Sequence, residues 1–340
     1  MKIVYTGIQQ ENYNHKRSFG FEYNNFYLTL KNMSGIEVIE YPLDLIITKG
    51  KKKFNEDLLE LIKKEKPDLF FSFMFTDELD QKILEEIKEL TISIAWFADD
   101  TWKFYSYSRH WAPYFTWLIT TYSWIIGPNI IRSQWACNPN VWRPIDIPRD
   151  IDVSFVGQRN SGRERVINFL KKAGINVLVR GLGWPDGRVS QEEMINIFSR
   201  SKINLNINDQ PSIFSPAFLA RLFLKRSITK IVPNWHLIDN FKTWINLSVS
   251  QVKARPFELA GCRAFVISGF ADDLDKFYRE NEEMVFYRSV ADLIEKIKHY
   301  LPLATEREKI APAGYQRTLA DHTYEKRFKD IFKILSFEYE

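Results

Sequence analysis

Two short runs, residues 68–75 (DLFFSFMF) and 92–97 (ISIAWF), are apolar at almost every position and lack the alternation of a strand with one wet face. Strands read this way when helices cover both sides of a parallel sheet. Residues 55–64 and 77–89 carry the charged, amphipathic spacing of helices before and between these runs. Upstream, residues 2–5 and 36–41 read as strands, with residues 21–33 spaced as a helix between them. Such alternation predicts an α/β domain with a doubly wound sheet, whose ligands bind beyond the carboxyl ends of the strands.

The alternation starts again at residue 152. Residues 152–156, 176–180, 203–207 and 264–267 read as strands, and 163–173, 273–280, 290–300 and 306–320 as helices. Ser190 and Glu193 form an S-x-x-E capping box that opens a further helix. Between the two series, NPNVWRPIDIPRD (138–150) has the proline, asparagine and charge of a linker. The expected architecture is two Rossmann-like, doubly wound domains facing across a cleft, residues 1–149 and 150–322. Residues 323–340 would be a C-terminal helix that could pack back toward the first domain.

A chain of 340 residues, 45% hydrophobic, is long enough for two cores. Its net charge of +4 is too small to imply a polyanion partner by itself, so nucleic acid is not expected and acidic small ligands remain open. Cys137 and Cys262 stand far apart without CxxC spacing, and the histidines at 15, 110, 236, 299 and 322 show no HExxH, so no metal is expected. The N-terminus lacks a signal-peptide core, and the apolar stretch 111–126 is broken by Pro113 and falls short of a transmembrane span. A cytoplasmic protein is expected. Residues 217–230 open with AFLARLFLKR, a basic amphipathic helix pattern that either packs on a domain face or makes a peripheral membrane contact.

Charge concentrates in QVKARPFELAGC (251–262), just ahead of the strand at 264–267. At a loop leading into a helix, Lys253 and Arg255 suit a diphosphate, and Glu258 suits the paired hydroxyls of a ribose. The alternative is an ordinary surface ion pair between Arg255 and Glu258 at i, i+3. Gly157 to Arg163 follows a strand and precedes a helix, so its backbone could cradle phosphate while Arg159 or Arg163 adds charge; otherwise it is a plain connection. Gly181 and Gly183 permit close backbone approach to a base or ribose, or serve only a turn. Asn206 and Asn208 share one side of a strand end, lining a site or facing water. Asp99 and Asp100 close the strand AWFADD, where one could act as general base or cap the helix that follows. Asp273 and Asp275 have DxD spacing, but at a helix start they read as caps.

The motifs WFADDTWKF (96–104), SQWACNPNVW (133–142), DVSFVGQRNSGRE (152–164), GLGWPDGRVSQEEM (181–194), SKINLNIN (201–208), QVKARPFELAGC and AGYQRTLADHTYEKRF (313–328) occur in an order that resembles the CgeB-like (spore maturation protein type) glycosyltransferases, over about residues 90–330. The resemblance implies GT-B architecture, a nucleotide-sugar donor such as a UDP-sugar held by residues 150–320, and an acceptor, not identified, on the N-terminal domain. It implies transfer without a metal or other cofactor. Glu258, before Ala260 and Gly261, matches the family's ribose-binding glutamate. Two positions depart from the pattern. Ser250 stands where many relatives have a glutamate that touches the donor sugar, and Arg263 stands where glycine is expected and could narrow the pocket or add a phosphate contact. A nucleotide-sugar epimerase and a noncatalytic sugar-nucleotide or nucleic-acid binding protein are the alternatives.

Overall fold

A computed structural model of the chain describes residues 1–208, 214–247, 249–271 and 273–337. Its strands run β1 (Lys2–Thr6), β2 (Glu37–Glu40), β3 (Leu69–Ser72), β4 (Ile92–Phe97), β5 (Trp117–Thr120), β6 (Ile130–Arg132), β7 (Ile151–Val156), β8 (Leu178–Arg180), β9 (Ser201–Asn206), β10 (Leu224–Ser227), β11 (Lys230–Pro233), β12 (Val266–Gly269) and β13 (Val285–Tyr287). The chain divides into two compact units, Met1–Gln134 with Ile213–Val249 and Tyr324–Glu340, and Trp135–Ser212 with Ser250–Thr323. The fold is α/β of the GT-B type, with a doubly wound, Rossmann-like sheet in each unit.

In the first unit the strand order is β2-β1-β3-β4-β5-β6, with parallel pairing throughout. The continuous apolar runs are its centre: Phe70, Phe71, Ile94, Ala95 and Trp96 are wholly buried. One face is covered by helices Lys51–Glu65 and Gln81–Leu90, whose Phe54, Leu58 and Leu84 join the same core. On the other face Phe26 meets Trp96 edge-on at 4.9 Å, and Phe328 meets Phe71 at 5.7 Å. Phe328 comes from helix Tyr324–Ile334, so the C-terminal helix completes the first sheet's cover. Of the expected C-terminal segment, residues 338–340 lie outside the described residues.

In the second unit the order is β13-β12-β9-β7-β8, again parallel. Helices Ser161–Lys172 and Val290–Tyr300 bury Val166, Leu170, Leu293 and Ile297 on it. The unit begins at Trp135 and not near residue 150. Cys137 bridges to Thr323, Gly261 fits against the Cys137 Sγ, and Trp142 lies 6.1 Å from Phe198, so residues 138–150 lie along this unit instead of forming a free linker.

Residues 217–230 do not form one amphipathic helix. Helix Pro216–Ala220 ends early, and the antiparallel pair β10–β11 follows, turning at Ile228 with φ +52°. The hairpin is tied to the first unit, where Ser227 donates to Asp77, Arg226 to Asn12, and the Ile228 N–H to Thr76 Oγ1. These tertiary bonds override the helical periodicity. Among the described residues no helix is long and apolar enough to cross a membrane.

Candidate functional site

The strand order of the second unit reverses between β7 and β9, because the chain leaves β7 toward β8 and leaves β9 toward β12. A crevice forms at such a switch point, beyond the carboxyl ends of the two strands. Arg163 spans it. Its Nε donates to the Ile207 carbonyl at 3.1 Å and its Nη1 to the Gln158 carbonyl at 2.8 Å, with the guanidinium over the Phe155 ring at 5.6 Å. Asn160 caps helix Ser161–Lys172 by accepting from the Arg163 N–H at 2.9 Å. Ser161 and Gly162 open that helix, where backbone N–H groups have no partner within the helix.

The loop before this helix is less open than its sequence suggests. The N–H groups of Gly157 and Arg159 donate to the Arg180 and Leu182 carbonyls, extending the β7–β8 pairing past the strand ends. Arg159 is drawn sideways by Glu164 at 2.7 Å and by the Gly183 carbonyl at 3.3 Å. Gly181, at φ +131°, has a role in this packing: a Cβ there would lie 2.2 Å from the Gly157 carbonyl oxygen. The close approach that glycine permits here is therefore between two backbone segments of this chain. Asn206 is buried, donating to Ser268 Oγ at 2.8 Å and to Asn208 Oδ1 at 3.1 Å, while Asn208 donates to the Gly269 carbonyl. The pair stitches the ends of β9 and β12 together, with Asn206 buried and Asn208 half-buried.

Helix Arg255–Gly261 leads into β12. Arg255 and Glu258 do not point to separate tasks. Arg255 Nη1 lies 2.8 Å from Glu258 Oε2, without the alignment of a hydrogen bond, and its guanidinium rests against Phe198 at 5.4 Å and Trp142 at 5.7 Å. Glu258 is buried, and burial pushes its carboxyl above the usual range while Arg255 pulls it back. The pair exists, as the plainer alternative held, but it is an inward one. Lys253 is half-buried, two residues ahead of the helix. Ser250 Oγ donates to the Phe270 carbonyl at 3.3 Å, which places it at the carboxyl end of β12.

Arg263 lies at the other edge. It follows the C-terminus of helix Arg255–Gly261, is exposed, and its carbonyl accepts from Arg149, which also reaches Ser201 at the start of β9. Phosphate at the carboxyl edge is out of its reach. Its backbone explains the expected glycine: φ is +53°, a left-handed conformation that glycine adopts without strain. Asp273 is likewise left-handed, φ +72°, precedes only the short helix Leu274–Phe277, and makes no side-chain cap bond. It pairs instead with Lys276 at 2.6 Å.

At the carboxyl edge of the first sheet, Asp99 and Asp100 differ sharply. Asp99 is half-buried, with φ +62°, and its carbonyl accepts from the Trp102 and Lys103 N–H groups. Asp100 turns inward: Ser108 donates to its Oδ1, and its Oδ2 is buried without a hydrogen-bond partner. Burial pushes its pKa up to about 7, against the opposing pull of the Ser108 and Thr120 hydroxyls. Asp100 is only 1% exposed. Lys103 is half-buried, held below its usual pKa by desolvation with Asp99 opposing.

A second carboxylate centre at this edge escapes the sequence. Glu78 is fully buried after β3, accepting from the Tyr13 hydroxyl, from the Thr76 N–H at 2.9 Å to both oxygens, and from the Thr76 hydroxyl at 3.0 Å. Burial raises its pKa against those hydrogen bonds. It looked like part of the helix expected over 77–89; the helix in fact starts at Gln81 behind the Asp80 cap. Its partner Tyr13 sits in a polar loop with no motif. Elsewhere in this unit His110, His236 and Asp239 place ligand-type atoms within 4.8 Å of one another, but Arg109 Nη2 already holds both Asp239 oxygens at 2.7 Å. A guanidinium seated on that carboxylate opposes a cation there.

Residues 225–333, about a third of the chain, match the model of a family described as glycosyl transferase-like. No protein with a curated description matches the sequence. Among solved structures, the chain is similar to sucrose-phosphate synthase from Thermosynechococcus elongatus, with a TM-score of 0.63, 10% identity, and 98% of each chain covered. A glycosyltransferase from Rickettsia africae gives a TM-score of 0.58, 11% identity and 99% coverage of each chain. Anabaena HepE, solved with UDP-glucose, gives 0.60 at 10% identity, with 99% of each chain covered. At such identities the likeness is one of fold.

Proposed function

We propose that this chain is a glycosyltransferase of the CgeB-like type, moving a sugar from a nucleoside diphosphate to an acceptor hydroxyl. The observation that carries the reading is Arg163, fixed across the β7–β9 switch beside the start of helix Ser161–Lys172. A guanidinium next to a helix N-terminus suits a diphosphate, because positive charge and backbone donors meet there. The glycosyl transferase-like match and the UDP-glucose complex of HepE support a UDP-sugar as the donor.

When the bond between the sugar and the diphosphate breaks, negative charge grows on the departing phosphate. Arg163, with Lys253 and Arg159 nearby in sequence to the same strand ends, would stabilise that charge without a metal. Glu258 would accept from the ribose hydroxyls. Arg255, lying against Trp142 and Phe198, becomes its positioning partner in place of the phosphate contact its sequence position suggested. Asp99, the more open of the two aspartates, is the proposed acceptor base.

The test is turnover of a panel of UDP-, GDP-, ADP- and TDP-sugars by the full chain with simple hydroxyl acceptors, reading release of the nucleoside diphosphate. Acceptor-dependent release is expected for one donor. Sugar inversion with no acceptor would identify an epimerase instead, and tight binding without turnover of any donor would identify a binding protein.

A further inference from the structure

Helix Leu237–Asn246 is inverted with respect to water. Its polar side chains face the protein: Asp239 holds Arg109, Asn240 donates to the Leu222 carbonyl at 2.9 Å, and Thr243 donates to Ser106 Oγ at 2.9 Å. Its apolar side chains face outward. Ile238 is 75% exposed, Phe241 52% and Ile245 49%, and their i, i+3, i+7 spacing puts them on one stripe. Just ahead of the helix Trp235 is 83% exposed, and Ile231 on the adjoining hairpin is 75% exposed. Packing within the chain accounts for the inner face of the helix. It leaves the outer stripe exposed even where Phe241 stacks on Trp244 at 5.8 Å, and contiguous exposed apolar surface of this kind marks an interaction site.

The charge around the stripe says what kind of partner fits. Over residues 214–247 the exposed charged side chains are Lys225, Arg226, Lys230 and Lys242, while the single acid, Asp239, is buried beneath them on Arg109. Two copies of the chain meeting through this face would bring lysines against lysines with no acid to offset them. An anionic bilayer matches both features: acyl chains for the exposed stripe and phosphates for the lysines. Tryptophan at the edge of an apolar patch suits the headgroup level, where one side of the indole is apolar and its N–H is wet.

We infer that residues 231–245 form a docking surface for anionic lipid, with Trp235, Ile238, Phe241 and Ile245 entering the boundary between headgroups and acyl chains and Lys225, Lys230 and Lys242 on lipid phosphates. The inference stands apart from the proposed transfer reaction, since none of these residues belongs to the donor site. It also moves the membrane contact expected at 217–230 toward the C-terminal side of the hairpin.

The experiment is co-sedimentation of the full chain with vesicles of phosphatidylcholine alone and of phosphatidylcholine mixed with phosphatidylglycerol. Binding to the anionic vesicles is expected, weaker in ~0.5 M salt as charges are screened. Ile238→Asp with Phe241→Asp should lower it about tenfold or more. Lys225→Glu with Lys230→Glu should lower it independently, with circular dichroism and melting unchanged for all four exposed positions. No binding to anionic vesicles, equal binding to neutral ones, or an unaltered affinity in the Asp double variant would each overturn the inference. So would a wild-type dimer, seen by light scattering without vesicles, that the Asp variant converts to monomer while vesicle binding stays absent.

Discussion

Arg255 and Glu258 stand one helical turn apart with 2.8 Å between Nη1 and Oε2, and the guanidinium of the pair lies against the neighbouring rings of Trp142 and Phe198. The contact joins three parts of the second unit: helix Arg255–Gly261, the segment before β7, and helix Gln191–Arg200. Glu258→Gln should therefore cost stability as well as donor affinity. We expect a loss of about 1–3 kcal/mol in urea unfolding, below that of a wholly buried pair because Arg255 keeps some exposure. Arg255→Met, which keeps the packing, should lose less stability than Arg255→Ala. If Glu258→Gln loses stability but binds nucleoside diphosphates as the wild type does, Glu258 is a structural residue only.

Asp100 gives a prediction in pH. Its folded pKa is pushed from 3.8 up to about 7 by burial, so the fold favours the protonated acid. The associated stability is fully present below the unfolded value and is lost as pH rises through about 7. Asp100→Asn does not titrate and offers an N–H to the place of the unpartnered Oδ2. From pH 5 to pH 8 the wild type should lose on the order of 2–4 kcal/mol relative to this variant. Glu22 and Glu40, also raised to about 7, slope both proteins alike, so only the difference counts. Parallel curves from urea unfolding at the two pH values would show that Asp100 is ionised in the fold.

Asp99→Asn and Asp100→Asn should also separate in turnover. The open Asp99 is expected to matter, with turnover lowered about a hundredfold or more and donor affinity kept. The buried Asp100 should leave turnover near wild type at neutral pH. The reverse pattern, or normal turnover by both, would move the acceptor base elsewhere.

Two backbone positions test the packing of the second unit. Gly181→Ala would place a Cβ 2.2 Å from the Gly157 carbonyl at a φ of +131°, so it should cost several kcal/mol or prevent folding, on the order of the largest single-site effects. Arg263→Gly relieves a left-handed arginine and should be neutral or stabilising by up to about 1 kcal/mol, with donor affinity unchanged. A fall in donor affinity in Arg263→Gly would restore a ligand role to that side chain.

The doubly wound sheets were legible in the sequence, because fully buried strands such as LFFS and ISIAWF have almost no other reading. The loop from Gly157 to Arg163 was legible as a candidate site, because a strand, a short polar loop and a helix follow one another without gaps. What the sequence hides is direction. Nothing in KARPFE tells whether Arg255 turns to solvent or toward Trp142, more than a hundred residues away. Arg263 shows the same limit: the missing glycine was visible, but its meaning is a backbone angle at the far edge of the sheet. Glu78 and Tyr13 were hidden because their partnership joins loops 65 residues apart in sequence. The hairpin at 224–233 was missed because tertiary bonds to Asn12, Thr76 and Asp77 outweigh a helical pattern of apolar residues.

The most direct test of a donor site at the β7–β9 switch is calorimetric titration of nucleoside diphosphates, UDP first, into the wild-type chain, Arg163→Lys and Arg163→Met. Arg163→Lys keeps the charge but loses the fork that reaches both Ile207 and Gln158. Saturable binding by the wild type is predicted, weakened about tenfold or more in both variants while their folds persist by circular dichroism. Wild-type affinity in Arg163→Met, or no binding of any nucleoside diphosphate by the wild type, would contradict the account.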